Sequence, residues 1–172
     1  MTVIGGDIRS VETPRTVRLD WAAALELAES GCEPVFVPVT PFCDDRGWSL
    51  MNLYTGMLSE QGQINVSTQY PGVIKAWHRH QRQTDVWLCP SGHLKVGVYD
   101  EGADRAWAIV IGEQKPGAVI IPPPLWHGAA TVGPQAATLM YYVTNAFDPD
   151  NPDEQRRPYD SVTGFPWGVQ HR

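Results

Sequence analysis

Beyond Gly31 the chain becomes a series of short apolar runs rich in valine, isoleucine, tyrosine and tryptophan, interrupted by glycine, proline and aspartate. Runs of this length and composition predict strands. They fall at 34–39, 47–55, 63–69, 72–80, 84–89, 93–100, 106–112, 118–123, 127–132 and 137–144, divided by turns such as "PSG", "DEGAD" and "VGPQ". Many short strands at close spacing predict an all-β fold, a mostly antiparallel barrel or two-sheet jelly roll. Ahead of them, "DWAAALELAES" sets good helix formers behind an N-cap aspartate, Asp20, and stops at Gly31, which predicts one helix. After them, "FDPDNPDEQRRPYD" is charged and proline-rich and reads as a surface tail. The expected organisation is a single domain over 1–172: a helical arm about 1–32, a barrel about 33–146 and a tail about 147–172.

Composition narrows the setting. With 172 residues, 42% of them hydrophobic, the chain can bury a real core and is not a disordered segment. No apolar run approaches the ~18–20 residues of a membrane span, and "MTVIGGDIRSVETPRTVRLD" has no apolar signal core. Three cysteines, Cys32, Cys43 and Cys89, are odd in number and lack C-x-x-C spacing, which argues for a reducing, cytoplasmic setting and against a cysteine-built zinc site. A net charge of −6 argues against nucleic acid as a partner and leaves a small-molecule substrate.

The chemistry concentrates in "AWHRHQRQTD", residues 76–85. Side chains two apart on a strand share a face, so His78 and His80 point the same way. A short turn then brings Asp85 across from them, and His127 opens a later strand after "VIIPPPLW". Three imidazoles and one carboxylate can surround a divalent ion, and iron, nickel, manganese and zinc all suit such donors. His93 and His171 have no such partners in the sequence.

These residues carry a resemblance. Gly72, five residues, His78-x-His80, four residues, Asp85, six residues and Gly92 resemble the first motif of the cupin superfamily, with aspartate in place of glutamate. "GAVIIPPPLWHGAAT", with Gly117 and His127, resembles the second motif, with Pro124 at the usual glycine and Thr131 at the usual asparagine. Within the cupins the chain looks like the dTDP-4-dehydrorhamnose 3,5-epimerase (RmlC-like) family from about residue 35 to 154. The likeness lies in "DDRGWS" (44–49), "GQINVSTQYPGVIKAWH" (62–78), "IPPPLWHGA" (121–129) and "ATLMYYVTNAFDPDNPDE" (137–154), in that order.

That resemblance implies a metal-free pair, His78 as base and Tyr141 as acid, with Arg46, Lys75 and Asn65 placed to hold a nucleotide sugar, and it implies a homodimer. Trp87, two residues beyond Asp85, is the expected pocket wall. Trp77 and Trp126 each precede a candidate ligand and should face away from it. Three departures stand out. Aspartate replaces the family's lysine at position 85, histidine replaces its usual glutamine at position 80, and its C-terminal orienting aspartate has no evident counterpart. The substitutions favour a divalent-metal-dependent enzyme that moves protons beside a carbonyl, an isomerase, epimerase or lyase. The alternatives are the metal-free 3,5-epimerase, an iron-dependent oxygenase and a non-catalytic ligand- or metal-binding cupin.

Overall fold

The computed structural model describes residue 8 and residues 10–170; His171 lies outside them. Fourteen strands and one helix are present among the described residues: β1 (Val11–Glu12), β2 (Arg15–Thr16), α1 (Trp21–Gly31), β3 (Val35–Pro38), β4 (Phe42–Asp44), β5 (Gly47–Ser49), β6 (Gln63–Gln69), β7 (Ile74–His80), β8 (Asp85–Ser91), β9 (His93–Asp100), β10 (Arg105–Gly112), β11 (Gly117–Ile121), β12 (Trp126–Thr131), β13 (Ala137–Val143) and β14 (Glu154–Arg156). Two six-stranded sheets face each other, in the orders β1-β10-β9-β12-β7-β14 and β2-β3-β11-β8-β13-β6; β4 and β5 pair only with one another. Most pairs are antiparallel; β1–β10 and β2–β3 are parallel. This is the all-β jelly roll anticipated from the strand pattern.

Period-two alternation builds three apolar layers from these strands. Between the sheets lie Trp87, Cys89, Leu94, Val96, Val98, Trp107, Ile109, Ile111, Val119 and Ile121. The opposite face of the second sheet, with Val86, Leu88, Ala118 and Ile120, is covered by Ala24 and Ala28 of α1 and by Tyr54 and Met57. The outer face of the first sheet, with Trp77, Tyr99, Ala106 and Trp126, is covered by Val162, Phe165 and Trp167. Trp77 and Trp126 thus face away from the candidate site. The Asp20 carboxylate caps α1 by accepting from the Ala23 amide at 2.9 Å. The helix ends through Cys32 at φ 48, one residue past the expected glycine stop.

Three features depart from the sequence pattern. Of the strand expected over 47–55, only Gly47–Ser49 is extended; the rest turns inward, where Tyr54 and Met57 pack on the second sheet. The tail is more than a surface segment. β14 pairs with β7, placing Glu154 opposite His80 and Arg156 opposite His78, and Lys95 Nζ donates to the carbonyls of Pro166 and Trp167 at 2.8 and 3.1 Å. On β6 the alternation is inverted. Gln63, Asn65, Ser67 and Gln69 line the interior cavity, while Ile64 and Val66 are 50% and 67% exposed.

Candidate functional site

Turn chemistry and strand parity bring the four candidate ligands together. Gly72 and Gly92, the outer glycines of the histidine motif, adopt φ 76 and 72, a left-handed conformation that side-chain-bearing residues rarely take. Between them β7 presents His78 and His80, and β8 returns with Asp85. His127 lies directly across from His78 in the β7–β12 register. The next residue, Gly128, lets these strands close: a Cβ there would sit 2.3 Å from the Ala76 Cβ. One donor atom from each of His78, His80, Asp85 and His127 lies within 4.8 Å of the others. Four ligands at about 2.0–2.2 Å around one tetrahedral ion would lie roughly 3.3–3.6 Å apart, so the group must draw inward by up to about an ångström for all four to share an ion.

Hydrogen bonds fix how the rings present themselves. His127 Nδ1 lies 2.9 Å from the Leu125 carbonyl and His80 Nδ1 3.2 Å from that of Asp153. A carbonyl only accepts, so each ring carries a proton on Nδ1 and turns Nε2 inward. Those Nε2 atoms lie 3.5 and 3.9 Å from the Asp85 carboxylate, too far for good hydrogen bonds, and among the described residues the buried His127 Nε2 has no hydrogen-bond partner. His78 lies between the His127 ring, 4.2 Å away edge-on, and the stacked Trp87 ring at 5.7 Å.

Burial and mutual repulsion set the charges. Burial, then the neighbouring His127, holds His78 well below the ordinary histidine range. Burial also lowers His80, with Asp85 opposing the shift. For Asp85, burial alone would raise the carboxyl; its interactions with His127 and His80 outweigh that and keep it below the usual carboxylate range. Burial, followed by the charges of Asp85 and Glu154, raises the Tyr141 phenol. At neutral pH the site therefore holds a neutral imidazole at His78, an anionic Asp85 and a protonated Tyr141.

These groups open on a cavity of about 980 Å³ whose lining includes His78, Tyr141, Lys75, Asn65 and Trp87. Tyr142, adjacent to Tyr141, points the other way, its hydroxyl held by the Ser59 amide at 3.0 Å. Arg46 lies apart from them. It sits on the β4–β5 hairpin, its side chain 81% exposed and paired with Asp44, and it is not among the cavity's lining residues. Among the described residues the hairpin hydrogen-bonds to neither main sheet. His93 is also remote, its Nε2 accepting from the Gln114 amide.

The sequence reading missed several lining residues: Gln63 and Ser67, Gln83, and Asp153, Glu154 and Arg156. Parity with Asn65 on "QINVSTQ" was enough to find the first two. Nothing local signals the last three, which arrive through the long-range pairing of β14.

The comparisons agree with this picture. Residues 42–155 match the model of the polysaccharide biosynthesis C-terminal domain. The chain is 38% identical over 137 residues to the spore coat polysaccharide biosynthesis protein SpsL of Bacillus subtilis (strain 168), covering 75% of this chain and 91% of that protein. It is 42% identical over 100 residues to the probable low-salt glycan biosynthesis epimerase Agl13 of Haloferax volcanii, covering 55% of this chain and 64% of that protein. A dTDP sugar isomerase from Desulfovibrio desulfuricans G20 superposes with a TM-score of 0.69 at 23% identity, over 80% of this chain and 92% of the other; at that identity the likeness is one of fold, the RmlC-like cupin jelly roll. The matched family segment spans every strand that contributes to the cavity, from β6 through the start of β14, and on it the chain belongs to the polysaccharide biosynthesis C-terminal domain family.

Proposed function

We propose that this chain is a sugar epimerase or isomerase that moves a proton at a carbon next to a carbonyl, with a nucleotide-linked 4-keto-6-deoxysugar as the substrate class. The observation that carries this reading is the pairing, on one cavity, of an unprotonated imidazole at His78 with a protonated phenol at Tyr141. A base must start without its proton and an acid with it. His78 takes the proton from the carbon, and the bonding pair moves into the carbonyl as an enolate. Tyr141 then supplies a proton to that carbon from the other face as the carbonyl re-forms. Proton exchange with solvent restores neutral His78 and the Tyr141 phenol. Lys75 and Asn65 would meet the substrate's anionic and hydroxyl groups. The glycan epimerase among the relatives supports the same chemistry.

A second reading has its own observation: the four inward donors and the unpartnered Nε2 of His127. Under it, His78, His80, Asp85 and His127 hold a divalent ion such as iron, nickel, manganese or zinc. A bound ion would supply Lewis-acid stabilisation of the enolate oxygen. Tyr141 would keep its role as proton donor.

The test is deuterium exchange. The purified chain, incubated in D2O with a nucleotide-linked 4-keto-6-deoxysugar, should introduce deuterium beside the carbonyl, read by NMR. Tyr141→Phe should slow this by roughly 10²-fold or more while leaving the fold intact. No exchange with such substrates removes the proposal. Elemental analysis, with the assay repeated after chelation, separates the readings: undiminished exchange in metal-free protein eliminates the second. The reading also includes a homodimer, supported by the open edge of β6 with its exposed Ile64 and Val66; sedimentation velocity measures it directly.

A further inference from the structure

Asp85 is 2% exposed, and it stands where the RmlC-like likeness has a lysine. A carboxylate this deep is held by whatever donates to it. Among the described residues two side chains hydrogen-bond to it, one on each oxygen. Gln83 Nε2 donates to Oδ1 at 2.6 Å and Trp87 Nε1 donates to Oδ2 at 2.9 Å. They lie two residues before and two after Asp85, on the same side of the strand and its approach. The same oxygens face different histidines: Oδ1 lies 3.9 Å from His80 Nε2 and Oδ2 3.5 Å from His127 Nε2. Gln83 and His80 therefore meet at one oxygen, Trp87 and His127 at the other. The Trp87 ring also stacks against His78 at 5.7 Å and an interplanar angle of 29°.

We propose that Gln83 and Trp87 are positioning residues that fix the Asp85 carboxylate in one orientation, each controlling the oxygen that faces one histidine, and that Trp87 serves the site through its indole N–H rather than as a wall for substrate. Charge-assisted hydrogen bonds of this kind are short and directional, and both donors are tied to the strand that carries the acid. Removing one donor frees the carboxylate to rotate toward the other. The effect should thus be selective: loss of Trp87 N–H disturbs His127, and loss of Gln83 disturbs His80.

The turnover arm of the test rests on the function proposed above; the spectroscopic arm does not. Trp87→Phe keeps an aromatic ring and removes the N–H, and Gln83→Leu removes the amide at a half-buried position where the fold is not at risk. In long-range 1H–15N spectra of the histidine rings, Trp87→Phe should move the His127 Nε2 resonance and leave that of His80 in place, and Gln83→Leu should do the reverse. Equal movement of both rings in either variant, or movement of neither, overturns the proposal. Each variant should also lower kcat by roughly 10-fold with KM unchanged, a loss confined to the transition state, and should cost nothing further on an Asp85→Asn background. A rise in KM with kcat unchanged makes Trp87 a substrate wall and also overturns it. If the wild-type chain exchanges no substrate proton while the ring resonances respond selectively, the function falls and the positioning role stands.

Discussion

The inner face of β8 reads Asp85, Trp87, Cys89, and along those five residues the interior of the barrel changes character. Cys89 belongs to the apolar layer with Leu94 and Ile111; Asp85 belongs to the histidine group. The three side chains are buried alike, at 2%, 3% and 3% exposed. Burial therefore does not distinguish the two ends; what it costs does. At the apolar end it releases water from hydrocarbon and contributes to folding. At the polar end the same exclusion of water leaves His127 Nε2 without a partner and suppresses protonation of His78. A region that is costly to bury and buried anyway is the mark of a site where stability has been exchanged for chemistry. Trp87 spans the boundary, its ring in the core and its N–H on Asp85.

The sharpest way to break this comparison is to make the polar end apolar. His78→Leu should lower exchange activity by roughly 10²–10⁴-fold, the scale of losing a positioned base, while the folded chain keeps or gains thermal stability, because an apolar side chain replaces a buried imidazole crowded by others. A clear fall in Tm would show that His78 contributes to the fold. The converse experiment is Leu94→Ala at the apolar end. It should cost about 2–5 kcal/mol through lost transfer energy and a cavity, read as the shift of the urea midpoint, with kcat per folded molecule unchanged.

A smaller effect follows from charge. His78 and His80 both lie below the ordinary histidine range when folded. Between those folded values and the unfolded value of about 6.5, the unfolded chain binds more protons than the folded one. Stability conferred by keeping them neutral is full above that unfolded value and declines as pH falls through the window. The Tm should therefore drop as pH is lowered from neutrality toward about 5, and His78→Leu should flatten the profile. The smallest effect belongs to neither end. Arg46→Ala, on the exposed hairpin, should leave Tm within error of the parent chain, measured by calorimetry.

The same contrast explains what could be read from the chain. Apolar runs gave β7 through β13 nearly residue for residue, since their burial is dictated by period-two patterning; β6 showed the same alternation but turns its polar face inward. Parity placed His78 beside His80, and turn spacing brought Asp85 to them. Residues 50–55 misled because a turn can bury Tyr54 as well as a strand can. β14 was invisible because its three residues, Glu154–Arg156, carry no apolar pattern and are extended through their partner β7. Asp153, whose carbonyl orients His80, acts through its backbone, and a backbone contact has no residue-type signature.

The inverted strand β6 has a consequence for how the chain is made. Its ladder partner is β13, with Gln69 opposite Ala137 and Gln63 opposite Val143. A ribosome adding about 5–20 residues per second needs roughly 4–15 s to travel from one strand to the other. Through that interval Ile64 and Val66 protrude from a nascent segment with no neighbour to hydrogen-bond it, and the polar wall of the cavity has no second side. The binding surface is consequently a late product of synthesis. Pulse-labelled chains should be most prone to capture by chaperones just before β13 clears the exit tunnel.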